Sequence, residues 1–303
     1  MEVLQSIVTL EELQRHYHTE SACVPFLYKL KWPEGFVCPR CQHTNTYVIR
    51  TRRLPLYECR ACRHQTSLIA GTVMEGSRTS LQKWLTVFWL VSRSDIGINA
   101  VRLSSIIEVT YKTAWLMLHK IRTAISRADI DRPLAGLVHG FVAFYGRHSS
   151  RQFNPRECPL IVAESVTSDG QTGELKMKLV DPTHLSDNLL FRSDCEHFAE
   201  LHVAKTATET SIIRHNCRIR RNSPLYQSFK RAWQWMNDTF HGIGAKYLQT
   251  YLDEFCFRFN TSRHHTSAWE QLVCLCMAVF SPASAASCTR NDESFVSSTP
   301  TAA

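Results

Sequence analysis

The chain has 303 residues, of which 44% are hydrophobic and 20% charged, enough apolar material to bury a sizeable core and too much for a disordered polypeptide. No apolar run approaches the roughly 18 residues that cross a bilayer, and acids at Glu2, Glu11 and Glu12 interrupt the N-terminus where a secretory signal would turn apolar, so a cytoplasmic protein without membrane contact is expected. The net charge of +8 is unevenly placed, with +7 on residues 1–130 and +1 on residues 131–303. A cationic front half attracts polyanions, because each phosphate it neutralises releases counterions. The same balance also fits a solvated basic surface with no partner.

In chain order, residues 1–30 read as an amphipathic helical segment with Leu10, Leu13 and Tyr17 at helical spacing. The stretch that follows alternates apolar and polar residues around Tyr47-Val48-Ile49 and Leu56-Tyr57, as short antiparallel strands do. From Ser80 the period becomes helical, with Leu81, Trp84, Leu85, Phe88 and Trp89 on one face. Asp95-Ile96-Gly97 breaks that pattern. A second helix fits residues 99–108 and a third residues 111–125, with Ala114, Leu118 and Ile121 inward. Asp131-Arg132-Pro133 marks the expected domain boundary. Beyond it, strand character covers 137–145, 159–166 and 174–180, with a turn at Ser168-Asp169-Gly170, and helical pattern resumes at 224–237 and 246–260. Strands followed by helices predict a mixed α/β domain. The small, polar stretch from Ser281 reads as a disordered tail.

The strongest chemical signal is a pair of knuckles, Cys38-Pro39-Arg40-Cys41 and Cys59-Arg60-Ala61-Cys62. Each turns tightly enough to aim both sulfurs at one point, and the strand pair between them brings the two points together. Four thiolates in that arrangement suit a structural Zn²⁺, since no position is left open for a substrate. Arg40, Arg60 and Arg63 lie close in sequence and are expected to favour the thiolate form; His43 and His64 are alternative ligands that nothing requires. The other eight cysteines are scattered and read as buried small hydrophobes. Arg50, Arg52 and Arg53 form a cationic cluster at the hairpin tip, suited to backbone phosphate.

Residues 98–125 read as two helices joined by a short turn, with Thr110 capping the second and Tyr111, Lys112 and Thr113 on its first turn. In a helix-turn-helix that turn meets base edges in the major groove, while Lys120 and Arg122 would clamp phosphate. The same pattern fits an ordinary three-helix packing unit with exposed polar residues.

The order CPRC, CRAC, TSLIAGTVMEGSRTSLQKW and YKTAWLMLHKIR resembles the zinc-ribbon front end of insertion-sequence transposases of the Merlin-like DDE group. DTFHGIGAKYLQTYLDEFCFRFN is similar to the stretch closing the catalytic domain in that group, so the likeness runs over residues 36–260. It implies an RNase H-like domain in which a few acids hold two divalent cations, Mg²⁺ or Mn²⁺, that activate an attacking oxygen. It also implies double-stranded DNA as partner, with element terminal repeats as targets and a homodimer acting on paired ends; the cytoplasmic protein would then be nucleoid-associated.

Carried over position by position, the likeness departs from the family at its centre. Aligning Gly136 and Gly146 with the family glycines puts Phe141 and Val142 where an Asp-Glu pair is expected. The second aspartate falls on Asp194, without the following glycine. The third ligand position falls on Tyr226 and the trailing lysine on Trp233, with Lys230 and Arg231 nearby but out of step. Asp194 is therefore the one remnant ligand, and it fits a plain surface residue equally well. Glu157, Glu164 and Asp181 lie near strand ends without a spacing that recommends them, and Asp253 and Glu254 are expected on a solvated helix face.

The expected organisation is an N-terminal helical segment (1–35), a zinc ribbon (36–78), a helix-turn-helix (79–130), an RNase H-like mixed α/β domain (131–280) and a tail (281–303). Three functions compete: a transposase-derived DNA-binding protein with an impaired catalytic site, an active DDE transposase that cleaves and transfers strands, and a zinc-ribbon protein-interaction module.

Overall fold

The computed structural model describes residues 9–93, 97–146, 157–166, 172–186, 189–215, 221–263 and 267–278. The turn expected at 168–170, most of the break at 95–97, Cys217, Cys288 and the tail from 281 lie outside these residues. The chain forms two compact units, residues 1–92 with 266–303, and residues 93–265.

The first unit opens with two helices where the sequence pattern suggested one segment. In α1 (Leu10–His16) the Thr9 hydroxyl accepts the Glu12 N–H, and the Glu12 carboxylate accepts the Thr9 N–H, a reciprocal cap. Thr19 caps α2 (Glu20–Lys31) afresh by accepting the Ala22 N–H, so the chain turns between the two. Strands β1 (Thr46–Ile49), β2 (Leu56–Cys59) and β3 (Gln65–Ser67) form an antiparallel sheet in sequence order. The rings of Tyr28 and Trp32 on α2 meet Phe36 and Tyr57, with centroids 5.0–6.1 Å apart, and fix the helix against the ribbon. At the end of α2 the Lys31 ammonium donates to the carbonyls of Ser67, Leu68 and Ala70, closing the chain leaving β3 onto the helix. Helices α3 (Leu81–Ser92) and α9 (Ala268–Ala278) complete the unit. Trp84, Leu85 and Phe88 of α3 are buried, as are Leu272, Val273 and Cys276 of α9, and Trp269 stacks on Phe26 at 5.3 Å.

The second unit begins with α4 (Ala100–Ile106) and α5 (Tyr111–Ile130), followed by β4 (Leu137–Tyr145), β5 (Cys158–Val166), β6 (Thr172–Leu179), the short hairpin β7 (Leu185–Ser186) and β8 (Leu189–Leu190), α6 (Arg192–His202), β9 (Glu209–Ile213), α7 (Pro224–Phe240) and α8 (Ala245–Thr261). The main sheet has the order β6-β5-β4-β9. The first three strands run antiparallel, and β9 joins β4 in parallel after the α6 crossover. Alternation along β4 sends Phe141, Ala143 and Tyr145 to one face, where Leu225, Phe229, Leu248 and Leu252 of α7 and α8 cover them. Val138, Val142 and Phe144 go to the other face, against Phe198 of α6 and Leu190.

Helices α4 and α5 belong with this sheet, and the turn at Asp131-Arg132-Pro133 lies inside the unit. The ties are ionic as well as apolar. Arg122 of α5 donates to Glu254 of α8 at 2.6 Å, with the two side chains 3% and 0% exposed. At the end of α5, Asp129 receives both Lys176 and Lys178 of β6 at 2.7 Å, and Lys178 also reaches Asp253 of α8 at 2.6 Å. Asp253 and Glu254 are therefore buried partners of cations rather than members of a solvated face, because α8 packs both α5 and the sheet and has little surface left for water.

Strand β6 is a sheet border, yet its outer backbone groups are not bare. The Asn260 side chain accepts the Leu175 N–H at 2.8 Å and donates to the Leu175 carbonyl at 3.1 Å. Gln249 accepts the Leu179 N–H at 2.8 Å and donates to the Met177 carbonyl at 2.9 Å. Two side-chain amides of α8 thus stand in for a neighbouring strand.

Candidate metal centre

The two knuckles fold alike, hydrogen bond for hydrogen bond. The Cys38 N–H donates to the His43 carbonyl at 2.9 Å, and the Gln42 N–H returns to the Cys38 carbonyl at 3.0 Å. In the second knuckle Cys59 donates to His64 at 3.0 Å, and Arg63 returns to Cys59 at 3.1 Å. Both returning residues sit in the left-handed region, Gln42 at φ 62° and Arg63 at φ 59°, a conformation that side chains with a Cβ adopt at a cost. Pairing of Thr46 with Cys59 across β1 and β2 then brings one knuckle to face the other.

The four sulfurs converge. Sγ of Cys38 lies 3.6 Å from that of Cys62, and Sγ of Cys41 lies 3.5 Å from that of Cys59. All four lie within 4.8 Å of one another. These separations are far too long for disulfides. They match the roughly 3.8 Å between corners of a tetrahedron whose metal–sulfur bonds are about 2.3 Å. The donor set and spacing fit Zn²⁺, which would be held by Cys38, Cys41, Cys59 and Cys62 in a closed, structural role. His43 and His64 contribute backbone carbonyls and are not needed as ligands.

The arginines beside the thiols act differently from the expectation. Backbone N–H groups of Cys62 and Ala61 pull the Cys59 thiol down to about 7. The Arg60 guanidinium instead lies over the Tyr47 ring at 4.4 Å, and Arg63 lies over the same ring at 6.0 Å while donating to Glu58 at 3.2 Å.

Among the residues expected to meet nucleic acid, Arg50 and Arg52 are exposed in the β1–β2 connection. Arg53 is engaged, donating to Glu20 at 2.5 Å. In the second unit α4 and α5 are joined by a turn in which Glu108 takes φ 49° and the Thr110 hydroxyl accepts the Thr113 N–H at 3.2 Å. Tyr111 and Lys112 are exposed on the first turn of α5, while Thr113 and Lys120 are half-buried. Arg122 cannot clamp phosphate: its guanidinium is spent on Glu254 and lies over the Tyr251 ring at 4.0 Å. Its spacing from Leu118 and Ile125 puts Arg122 on the buried face of α5, but the acid that answers it lies 132 residues away in the chain.

The positions carried over from the resemblance divide between the two faces of the sheet. Gly136 and Gly146 flank β4, both with positive φ, and Phe141 lies between them, paired with Val162 and Ile213. Its ring meets Tyr226 at 6.1 Å and Phe229 at 6.3 Å. Phe141 and Tyr226, the positions the resemblance would give to the first and third ligands, thus lie together as aromatic rings. Asp194 sits in the first turn of α6, which covers the opposite face, and its carboxylate pairs with Nδ1 of His184 at 2.6 Å. Glu157 and Glu164 are buried, and burial raises the Glu164 carboxyl. Among the described residues, the four cysteines are the one cluster of three or more cysteine, histidine or acidic side chains close enough to share a metal.

A closed four-thiolate ribbon on helical support, with a separate mixed α/β unit, defines a two-domain protein whose metal centre is architectural. Residues 18–65 match the transposase zinc-ribbon domain family, so the chain carries a zinc-ribbon domain typical of IS1595-family transposases. The matched stretch begins before α2 and ends in β3, which agrees with the ring cluster that joins α2 to the ribbon. No curated protein matches the chain, and no solved structure matches it. Among the described residues, no helix is long and apolar enough to cross a membrane.

Proposed function

We propose that this chain is a DNA-binding protein of the Merlin-like insertion-sequence transposase type whose DDE site no longer holds metal. The observation that carries the reading is the four-thiolate ribbon, with its match to a transposase domain, in the cationic half of the chain. The α4–turn–α5 pair supports a helix-turn-helix: Thr110 caps α5, and Tyr111 and Lys112 project from its first turn as base-contacting residues do. Three antiparallel strands, a helix, and a fourth strand parallel to the first support an RNase H-like domain.

The loss of catalysis follows from the donor set. Hard divalent cations need oxygen ligands, and Phe141 and Val142 supply none, while Tyr226 offers at best one phenolic oxygen. Asp194 lies across the sheet from them. The residues at the inherited positions do not fit a two-metal site.

Two measurements test the reading. Zinc-loaded protein is expected to bind duplex DNA with an affinity that falls as salt rises, and Lys112→Ala is expected to weaken specific binding more than Lys120→Ala. Equal losses would argue against a reading helix at α5. Incubation with Mg²⁺ or Mn²⁺ and candidate terminal-repeat DNA is expected to yield no cleavage or strand-transfer product. Product that disappears on Asp194→Ala would establish the active transposase instead, and zinc-loaded protein without salt-dependent DNA binding would leave the protein-interaction module.

A further inference from the structure

We infer that the outer face of the ribbon sheet, where the Arg60 guanidinium lies over the Tyr47 ring beside Arg63, is the ribbon's phosphate-binding locus for DNA, rather than the arginine-rich β1–β2 connection. The inference rests on the DNA-binding reading above and assigns it to particular groups. Register places Tyr47 opposite Glu58, and Glu58 opposite Gln65, so one face of the three strands carries this row. The opposite face is committed to the ring cluster through buried Tyr57.

On the outer face the Tyr47 residue is 49% exposed. What covers part of it is a guanidinium, that of Arg60 at 4.4 Å. A guanidinium held over a ring by the cation–π attraction keeps N–H donors free for other partners, and two of them can grip a phosphate with parallel hydrogen bonds. An arginine held against a ring has also lost part of its rotamer freedom in advance, so less is lost on binding.

Among the described residues the one acid on this face, Glu58, pairs with Arg63 and not with Arg60. Glu58 accepts from Gln65 at 2.8 Å and from Arg63 at 3.2 Å, which holds its carboxylate on that side. Among the described residues no carboxylate pairs with Arg60, and Arg40 is a further exposed cation in the first knuckle. In the β1–β2 connection, by contrast, Arg53 is bound to Glu20, and among the described residues no ring underlies Arg50 or Arg52. Charge complementarity and pre-set donors therefore select the sheet face for a polyphosphate backbone.

The test is duplex DNA binding by the full-length zinc-loaded protein, followed by fluorescence anisotropy across a salt series, with zinc content measured for every variant. Arg60→Ala is expected to weaken binding about tenfold and to lower the salt slope by roughly one. Tyr47→Phe, which keeps the ring, is expected to bind as the parent does. Tyr47→Ala is expected to weaken binding at nearly unchanged slope, and Arg60→Lys to keep the slope while losing affinity. The Arg50→Ala, Arg52→Ala double variant is expected to lose less than Arg60→Ala alone. If Arg60→Ala disturbs the knuckle and sheds zinc, the comparison of Tyr47→Phe with Tyr47→Ala decides. Parent affinity and slope in Arg60→Ala and Tyr47→Ala, in a protein that does bind DNA, would overturn this assignment and leave the wider reading standing. Absence of DNA binding by the parent protein would remove both.

Discussion

Replacing Glu254 by Gln probes what holds the second unit together. Glu254 is fully buried, receives Arg122 at 2.6 Å and is joined by Arg258 at 3.4 Å. Removing its charge leaves the Arg122 guanidinium, 3% exposed, facing a neutral amide, while Arg258 keeps its hydrogen bond to the Arg93 carbonyl and its place over the Trp235 ring. Breaking a buried pair in this way costs about 3–5 kcal/mol, chiefly the penalty of a stranded buried charge. The rings of Tyr251 and Phe240, 4.0 and 5.3 Å from the Arg122 guanidinium, offset about 1 kcal/mol at most. The amide of Gln keeps a hydrogen bond to one arginine, so the lower half of the range, about 3 kcal/mol, is expected. For a unit of this length each kcal/mol lowers Tm by about 2–4 °C, giving a drop of roughly 6–12 °C. Differential scanning calorimetry of the parent, Glu254→Gln and the double variant Glu254→Met, Arg122→Met would measure it, the double variant recovering part of the loss. A Glu254→Gln transition within about 2 °C of the parent would refute the argument that the pair is dry and closed.

Three further outcomes follow from other sites. Cys59→Ser is expected to release the metal and unfold the ribbon, since structural zinc contributes about 10–16 kcal/mol of apparent binding energy in comparable sites; metal analysis and circular dichroism would report it, and full zinc content would contradict it. Gln42→Gly relieves a left-handed residue at φ 62° and is expected to stabilise the ribbon by about 1 kcal/mol, seen as a several-fold slower transfer of zinc to a chelator. His202 is held near 4, chiefly by burial and then by the cations Lys178 and Lys176. Its folded form binds the proton later than the unfolded chain does, so its contribution to stability is present above pH 6.5 and is lost as pH falls from there towards 4. Urea midpoints across that window should fall more steeply for the parent than for His202→Phe, and parallel curves would contradict the assignment.

The knuckles were legible in the sequence because metal binding constrains spacing locally: two residues between thiols, a turn, and a strand pair long enough to face them. The strands at 137–145 and 159–166 were equally plain, since central strands covered on both faces carry mostly apolar residues. Strand β9 escaped notice because Glu209, Thr210 and Ser211 are exposed and carry no apolar alternation. Helix α6 was missed for a related reason, as one buried residue, Phe198, anchors it. Arg122 read as a surface cation and Glu254 as a surface acid because each is polar within its own helix; only the packing of α5 on α8 reveals that each answers the other. The return of α9 to the first unit is a long-range pairing that no local period encodes. Phe141 and Tyr226 were named separately as departures from a ligand pattern, and the fold adds that their rings meet.

The amides of Asn260 and Gln249 carry a consequence for how this molecule associates. A sheet border with free N–H and C=O groups invites another chain to extend it, but at β6 four of those groups are already satisfied by α8. A foreign strand could attach there only by first prying the helix from the sheet, together with the ion pairs that Lys178 and Asp253 make beside it. Strand-by-strand polymerisation is thus barred on that flank by two polar side chains.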